Sequence, residues 1–554
     1  MSESNTPEKN PAEPVAPERR PNLFVRVRNA VFCWRTARWL LIGLAGLLTL
    51  IAIVVTFEGI RGRKAWAKFK ADMEAAGEPL DPMALRPAPV PDEQNFAMTP
   101  LLSPLLDYEL TTTARGEEHV WKDAVAKKRL DEFKGLSDFP SELWGNRHLH
   151  RATDLGGWQA YLRPNTNFGV SIGEVSPAIQ KSVDPNSGMS TVSYDTNLAA
   201  KEVLLALRKF DTEMGELHEA AKRPYAQFPV HYEEGFAAIL PHLTLLRKFS
   251  RIARLKATAH LADNDPEQAL SEGLLIVRFA DAARAEPLLI SGLVRIAFLE
   301  DFAEIVWEGM VHNRWKPSQL QQIEKTLSTV DCALDYQRAI RGERALALDS
   351  LLRMRKKIGT LMGGSSDSEA VNLIFSRGPD AIFYQNLVNI GRMYGEKGFP
   401  YVDVERRRFD LSGAKAAEKK IKSEMTKFHP YRVLAAVLFP AIGKAMQRSA
   451  HAQSEVDQIR IACGVEQYRI QHGKLPADLA ALTPEYLEAL PKDPVSGADY
   501  NYVVENGTSF AIYSFGADGG DDGGKVVFDK RDTNRLNYDE GDWVWRVKRA
   551  IGSP

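Results

Sequence analysis

The sequence predicts a mainly α-helical protein: a single N-terminal transmembrane helix, an α-helical bundle or solenoid-like middle, and a small α+β domain at the C-terminus. Three observations carry that reading. The run from Trp39 to Phe57 holds no charged residue. Through much of 199–357 apolar residues recur at spacings of three and four, the period of an amphipathic helix. Beyond about residue 473 the pattern changes to two short helical turns and then short runs rich in Tyr, Val, Ile and Phe bounded by Gly, Asn and Pro, as strands and turns require.

Composition bounds the rest. The chain has 554 residues, 44% hydrophobic and 26% charged, enough for several packed cores. Its 71 Lys and Arg balance 72 Asp and Glu, which argues against nucleic acid as a partner, since such proteins carry a basic excess. Cys33, Cys332 and Cys463 form no close pair, so neither a disulfide framework nor a cysteine zinc site is expected. The expected order is a cytoplasmic, disordered tail (1–38), a span (39–57), a juxtamembrane helix with a Pro-rich spacer (58–95), an irregular region (96–198), a helical domain (199–440) and the α+β domain (441–554).

Taken in order, residues 1–22 are rich in Pro and Glu and lack aromatic residues, so little offsets the entropy of ordering them. At about 1.5 Å per residue the apolar run covers roughly 28 Å, close to a bilayer's hydrocarbon thickness. Trp34, Trp39, Phe57 and Trp66 suit the aromatic belts at its two ends. Ala65-Trp66-Ala67 fits a signal-peptidase pattern, but the apolar run is too long for a signal core and Arg61, Arg63 and Lys64 intervene. Basic residues flank both ends, so orientation rests on the short tail staying in the cytoplasm while the large domain is exported. The expected location is a bacterial inner membrane, with the C-terminal part periplasmic.

In the middle, Leu245, Phe249, Ile252, Leu255, Ala259 and Ala262 make one apolar stripe. Asp265-Pro266 then reads as an N-cap and first-turn proline opening the next helix. Trp315-Lys316-Pro317 opens another, after an apolar stretch from 288 to 311 that is expected to be buried on most sides. No 34-residue repeat is sustained, so a bundle or solenoid-like array is predicted rather than a tetratricopeptide domain. A helical region over 414–472 is expected to break at Pro430 and Pro440, and Arg406, Arg407 and Arg408 read as solvated surface.

The final helix is expected to end at Gly473, a natural C-cap. Tyr500–Val504 and Thr508–Phe515 are expected to form a hairpin through Asn506-Gly507, with positive φ angles in the turn. Gly541–Val547 adds a strand, and a glycine-aspartate loop spans Gly516–Gly524. This order, with Tyr468, Arg469, Gly473 and Pro476, then Leu490–Pro494, Tyr500 and Tyr502, Tyr513–Gly519 and Gly541-Asp542, resembles the globular domain of the type II secretion major pseudopilin over residues 445–547. In that family the aspartate loop binds calcium, which implies Ca2+ on Asp518, Asp521 and Asp522. Clustered hard oxygens and tightly turning glycines suit that ion. A pseudopilin's membrane helix runs directly into its globular domain, whereas here the span lies far upstream, so a module built into a larger protein is expected. The whole arrangement also resembles uncharacterised membrane-anchored proteins of planctomycete and verrucomicrobial bacteria, a likeness that supplies no activity.

Catalytic signals are weak. Gly169-Val170-Ser171-Ile172-Gly173 has the form of a nucleophile elbow without the strand–turn–helix context it needs. His148 and His150 are placed to share one strand face but lack a recognisable third ligand. Ser412 to Lys415 fits Ser-x-x-Lys without the accompanying elements. The expected function is therefore a non-enzymatic scaffold or adaptor at the envelope, binding a protein partner through its helical surface. An accessory subunit of a secretion or pilus-like system is the first alternative. A hydrolase with an unrecognised site is the second.

Overall fold

The computed structural model describes residues 34–113, 116–134, 139–162, 196–353, 380–395, 400–425 and 431–549. The helices are α1 (Trp34–Ala75), α2 (Ala124–Lys134), α3 (Leu155–Leu162), α4 (Thr196–Leu207), α5 (Asp211–Ala221), α6 (Pro241–Ala262), α7 (Pro266–Arg284), α8 (Leu289–Val311), α9 (Pro317–Leu327), α10 (Cys332–Arg353), α11 (Asp380–Met393), α12 (Leu411–Met425) and α13 (Val433–His472). Strands β1 (Tyr108–Thr113) and β2 (Gly116–Trp121) form one antiparallel hairpin, and β3 (Val402–Asp403) and β4 (Arg408–Phe409) a second. Antiparallel β5 (Asn501–Val504), β6 (Phe510–Ser514) and β7 (Trp543–Val547) form a three-stranded sheet in that spatial order.

α1 is one unbroken helix of 42 residues, long and apolar enough to span a membrane, and its apolar window is wholly exposed on the protein. It begins ahead of the predicted span and continues past Phe57. There Gly59, Gly62, Trp66, Phe69 and Met73, alternately three and four residues apart, turn one seam inward. That seam packs on α11, where Phe69 sits against Gly391 and Arg63 pairs with Asp380, and from the chain just ahead of α13 the Tyr431 hydroxyl donates to Glu58 Oε2 at 3.2 Å. These contacts form a neck between the exposed apolar part of α1 and the body of the protein.

The proline-rich stretch after α1 is held against the body rather than standing free as a spacer. Glu78, 2% exposed, pairs with Arg341 and with Arg344 (2.6 Å) on α10, and Asn95 and Phe96 bond to the chain around Tyr225 and Gln227. Residues 96–162, read from sequence as irregular with a few short helices and a strand or two, contain the β1–β2 hairpin, α2 and α3 between short 3-10 turns.

In the body, α6, α7 and α8 pack as successive hairpins. Asp265 caps α7 through Gln268 N (3.2 Å), and α8 is buried nearly all round, as the sequence predicts. The long final helix departs from expectation. α13 runs through Pro440 without ending, its 40 residues continuing to Gly473, which closes it at φ 68°. Packing of Ile442, Ala445 and Met446 immediately beyond outweighs the roughly 3 kcal/mol cost of an interior proline. From Ser449 to Val465 almost every residue of α13 is buried, with the helical layer on one side and the sheet on the other. One continuous apolar core therefore reaches from Phe69 to Trp545.

The β5–β6 turn is also built differently. It is a five-residue loop in which Gly507 keeps a negative φ. The Asn506 side chain accepts from Thr508 N (3.0 Å) and Ser509 N (2.8 Å), so an Asx-type turn replaces the tight Asn-Gly turn.

Replacing Glu78 with Ala leaves the fully buried Arg344 without its carboxylate, and chemical denaturation of the detergent-solubilised full-length protein should show a loss of about 3 kcal/mol. A loss below about 0.5 kcal/mol, the size of an exposed pair, would mean that this contact does not dock the chain leaving the neck.

Candidate functional site

The aspartate loop follows β6 and wraps over the chain entering β7. Gly516, Gly519, Gly523, Gly524 and Gly541 all have φ between 67° and 79°, which lets the backbone reverse repeatedly in a short span. Asp518 accepts from Gly520 N and from Gly541 N, both at 3.0 Å, and so ties the loop to the start of β7. Asp521 accepts from Gly523 N (2.9 Å) and from the Tyr513 hydroxyl (3.4 Å). Asp518, Asp521 and Asp522 are all exposed.

Beneath them lies a fourth carboxylate that was not among the predicted ligands. Asp542 is 1% exposed. Its Oδ2 accepts from Gly524 N (2.6 Å), while Oδ1 is buried with no hydrogen-bond partner among the described residues. Burial raises its carboxyl above the usual range. The Gly524 and Asp522 amides oppose that rise, and the neighbouring Asp522 and Asp521 charges add to it. The Gly541-Asp542 pair was the available sequence signal, but nothing local to it announces that it folds under the loop. Among the described residues no three His, Cys, Asp or Glu side chains stand close enough to share one ion. In this conformation the loop is held by amide hydrogen bonds to its own aspartates.

The near side of the loop, Gly516–Gly519, closes an open cleft of about 510 Å³ with the β3–β4 hairpin. Phe409 N donates to Pro494 O and Arg408 to Val495 O, both at 2.8 Å, joining that hairpin to the Leu490–Pro494 segment. Asp493 is buried and accepts from Ser496 and Ser514 hydroxyls (2.7 and 3.1 Å), so it fixes the turn to β6. Arg407 pairs with Asp331 (3.0 Å), and Arg406 is the solvated member of its cluster.

A second constellation is buried where α8, α13 and the 145–153 loop meet. Arg147 lies between Glu304 of α8 and Glu455 of α13. Asp301 takes Arg247 and the Ser250 hydroxyl, both at 2.6 Å, and Arg254 reaches both Asp301 and Glu304. Glu308 accepts from the Thr153 hydroxyl (2.5 Å), and burial pushes its carboxyl up to about 7 against the opposing pull of Thr153 and Arg254. Asp457 is likewise pushed up to about 7 by burial, with Arg460 and Gln453 opposing. These charges neutralise one another in place, the arrangement of a structural lock rather than of groups presented to a ligand.

The histidines behave accordingly. His148 sits in a 3-10 turn rather than on a strand, and His150 follows at φ 53°, so the two do not share a strand face. His148 packs near His451, ring centroids 6.4 Å apart. Burial first, and nearby arginines second, hold both rings well below their usual pKa. A pocket ringed by Arg147 and Arg448 opposes a metal cation. Ser412 bonds to Asp410 (2.9 Å) and Lys415 to Asp539 (3.1 Å), so neither engages the other. Cys332 and Cys463 are buried thiols whose pKa burial raises. Residues 169–173 lie outside the described residues.

No family model matches the chain, nor does any curated protein or solved structure.

Glu308 supplies a pH test. Its stabilising contribution is full below the ordinary glutamate pKa and is lost as pH rises through about 7, a swing on the order of 3 kcal/mol. Glu308→Gln removes that loss, so the variant should melt above the wild type at pH 8 and alongside it near pH 4.5. Equal melting differences at both pH values would show that folding does not raise the Glu308 carboxyl.

Proposed function

We propose that the protein is a membrane-anchored, non-enzymatic scaffold or adaptor that carries a pseudopilin-like, calcium-binding module and offers it to an envelope protein partner. The single observation behind this reading is the course of α13. It starts beside the neck, where Tyr431 meets Glu58, and passes through the shared core. It ends against the sheet, which is also held to α8 by Trp307 Nε1 donating to Arg546 O at 2.8 Å. A module fixed in this way relative to its anchor suits presentation. A long helix capped by glycine, a Leu-Pro-x-Asp-Pro segment, an antiparallel three-stranded sheet and an aspartate-glycine loop are the features that support the pseudopilin resemblance.

Calcium fits the loop on one observation, the buried, unpartnered Asp542 Oδ1 beneath two further aspartates. Asp518, Asp521, Asp522 and Asp542, with glycine carbonyls, are the oxygens that would hold it. The ion would supply the positive charge that this carboxylate cluster lacks. In this reading the anchor lies in a bacterial inner membrane with the body on the periplasmic side. Protease added to spheroplasts should then remove the body, and complete protection would reverse the orientation.

With millimolar Ca2+ the full-length protein in detergent should melt several degrees higher, about 2.7 kcal/mol of stabilisation when the ion is at a hundredfold its Kd. Asp542→Asn should abolish the shift, and a wild type that does not shift would reject the calcium site. Affinity purification from gently solubilised membranes, with and without calcium, tests the adaptor role. A partner lost when the loop aspartates become Asn supports it, and recovery of secretion-machine subunits would place that partner in such a system. A preparation without companions in either condition would overturn it.

A further inference from the structure

The neck has a second face that no element covers among the described residues. On α1 beyond Phe57 the seam toward α11 uses Gly59, Gly62, Trp66, Phe69 and Met73. Ile60, 50% exposed, and the exposed Arg61, Lys64 and Lys68 lie off that seam. Three anions of the neck are engaged, Glu58 with Arg61 (3.2 Å), Asp380 with Arg63 and Glu74 with Lys70 (3.7 Å), while the exposed Asp72, one turn beyond Lys68 and farther from the hydrocarbon than either lysine, has no ion pair among the described residues. No carboxylate pairs with Lys64 or Lys68 among the described residues.

We propose that this face of the neck binds the anionic phospholipid headgroups of the bilayer in which α1 is anchored. The proposal rests on the reading of α1 as a membrane span. Because the helix does not break at Phe57, the height of each residue above the hydrocarbon follows from its rise of about 1.5 Å. Lys64 stands about 10 Å up and Lys68 about 16 Å, while the headgroup layer occupies roughly the first 5–8 Å. A lysine stem reaches down several ångströms with its ammonium leading, so Lys64 reaches the phosphates and Lys68 the ion layer just above them, within a Debye length of about 8 Å. Ile60 lies at the boundary, with an apolar side chain suited to the acyl edge of the same layer. α11 covers the opposite side of α1, so the exposed cations face a single direction and the neck has a preferred side toward the lipid.

The test uses the full-length protein in nanodiscs of mixed phosphatidylcholine and phosphatidylglycerol, with the lipids retained on the protein counted by native mass spectrometry. Wild-type protein should retain phosphatidylglycerol above its bulk fraction, and preference should fall about fivefold for each lysine removed in Lys64→Gln and Lys64→Gln/Lys68→Gln. The basic residues before the span are unchanged in all three proteins, so only the difference counts. Equal retention by wild type and double variant overturns the proposal. Alkaline carbonate extraction separates the two readings. Protein released from the pellet defeats the span itself, whereas protein that stays in the pellet yet shows no lysine-dependent preference defeats only headgroup binding.

Discussion

Burying α13 on two sides is the constraint from which most of the structure follows. A helix that faces a helical layer and a sheet at once has no side on which to leave polar groups in water, yet this one carries Gln453, Ser454, Glu455, Asp457, Gln458 and Glu466 inward. Each needs a partner, because an unpaired buried charge costs several kcal/mol. The partners come from every direction. Arg147 from the 145–153 loop meets Glu455, Gln453 accepts from Cys332 N at 2.8 Å, Gln458 donates to Trp543 O at 2.8 Å, and Arg549 meets Glu466 at 2.9 Å. Satisfying α13 therefore places α10, the loop and the last strand together. Replacing such a network with apolar side chains often costs a fold nothing, so its value here is positional: it admits one arrangement of the parts.

The same logic ties the anchor to the body. α1 docks through a glycine and aromatic seam, and the chain leaving it is pinned when Glu78 enters a pocket already holding Arg344. The two ends of the chain, one running from the span and one ending in the sheet, thus rest on the same helical body through buried ion pairs and one shared apolar core.

Where local chemistry decides the structure, the sequence was a reliable guide. The uncharged run, the Asp265 cap, the all-round apolar character of α8, the Gly473 cap and the two strand runs on either side of Asn506-Gly507 each announce themselves within a few residues. Where a distant partner decides, local reading fell short. Gly59, Gly62, Trp66, Phe69 and Met73 carry a visible three–four spacing, but the helix that they meet contributes Asp380, 317 residues from Arg63. The carboxylates of α13 look like solvent-facing residues until Arg147 and Arg549 arrive from elsewhere. Pro440 obeys a rule that packing overrides. Asn506 solves its turn with a side chain instead of backbone angles, and Asp542 looks like an ordinary residue before a strand until the loop folds over it. Of the proposed site, the three exposed aspartates fall within five residues of one another and stand out in the sequence, whereas Asp542 lies twenty residues further on and joins them only through the fold.

The unbroken course of α1 has a mechanical consequence. With α1 seated in a bilayer as proposed, a helix of this length, about 63 Å end to end, its lower half in lipid and its upper half packed along α11, is a stiff lever with no break at the membrane surface. A load applied to the C-terminal sheet passes through α13 and the body into that lever. It reaches the bilayer as a tilting moment on the span rather than being absorbed in a slack tether. In that reading, lipid order around the span and load on the sheet are coupled through the shared apolar core, and the bilayer supplies the spring.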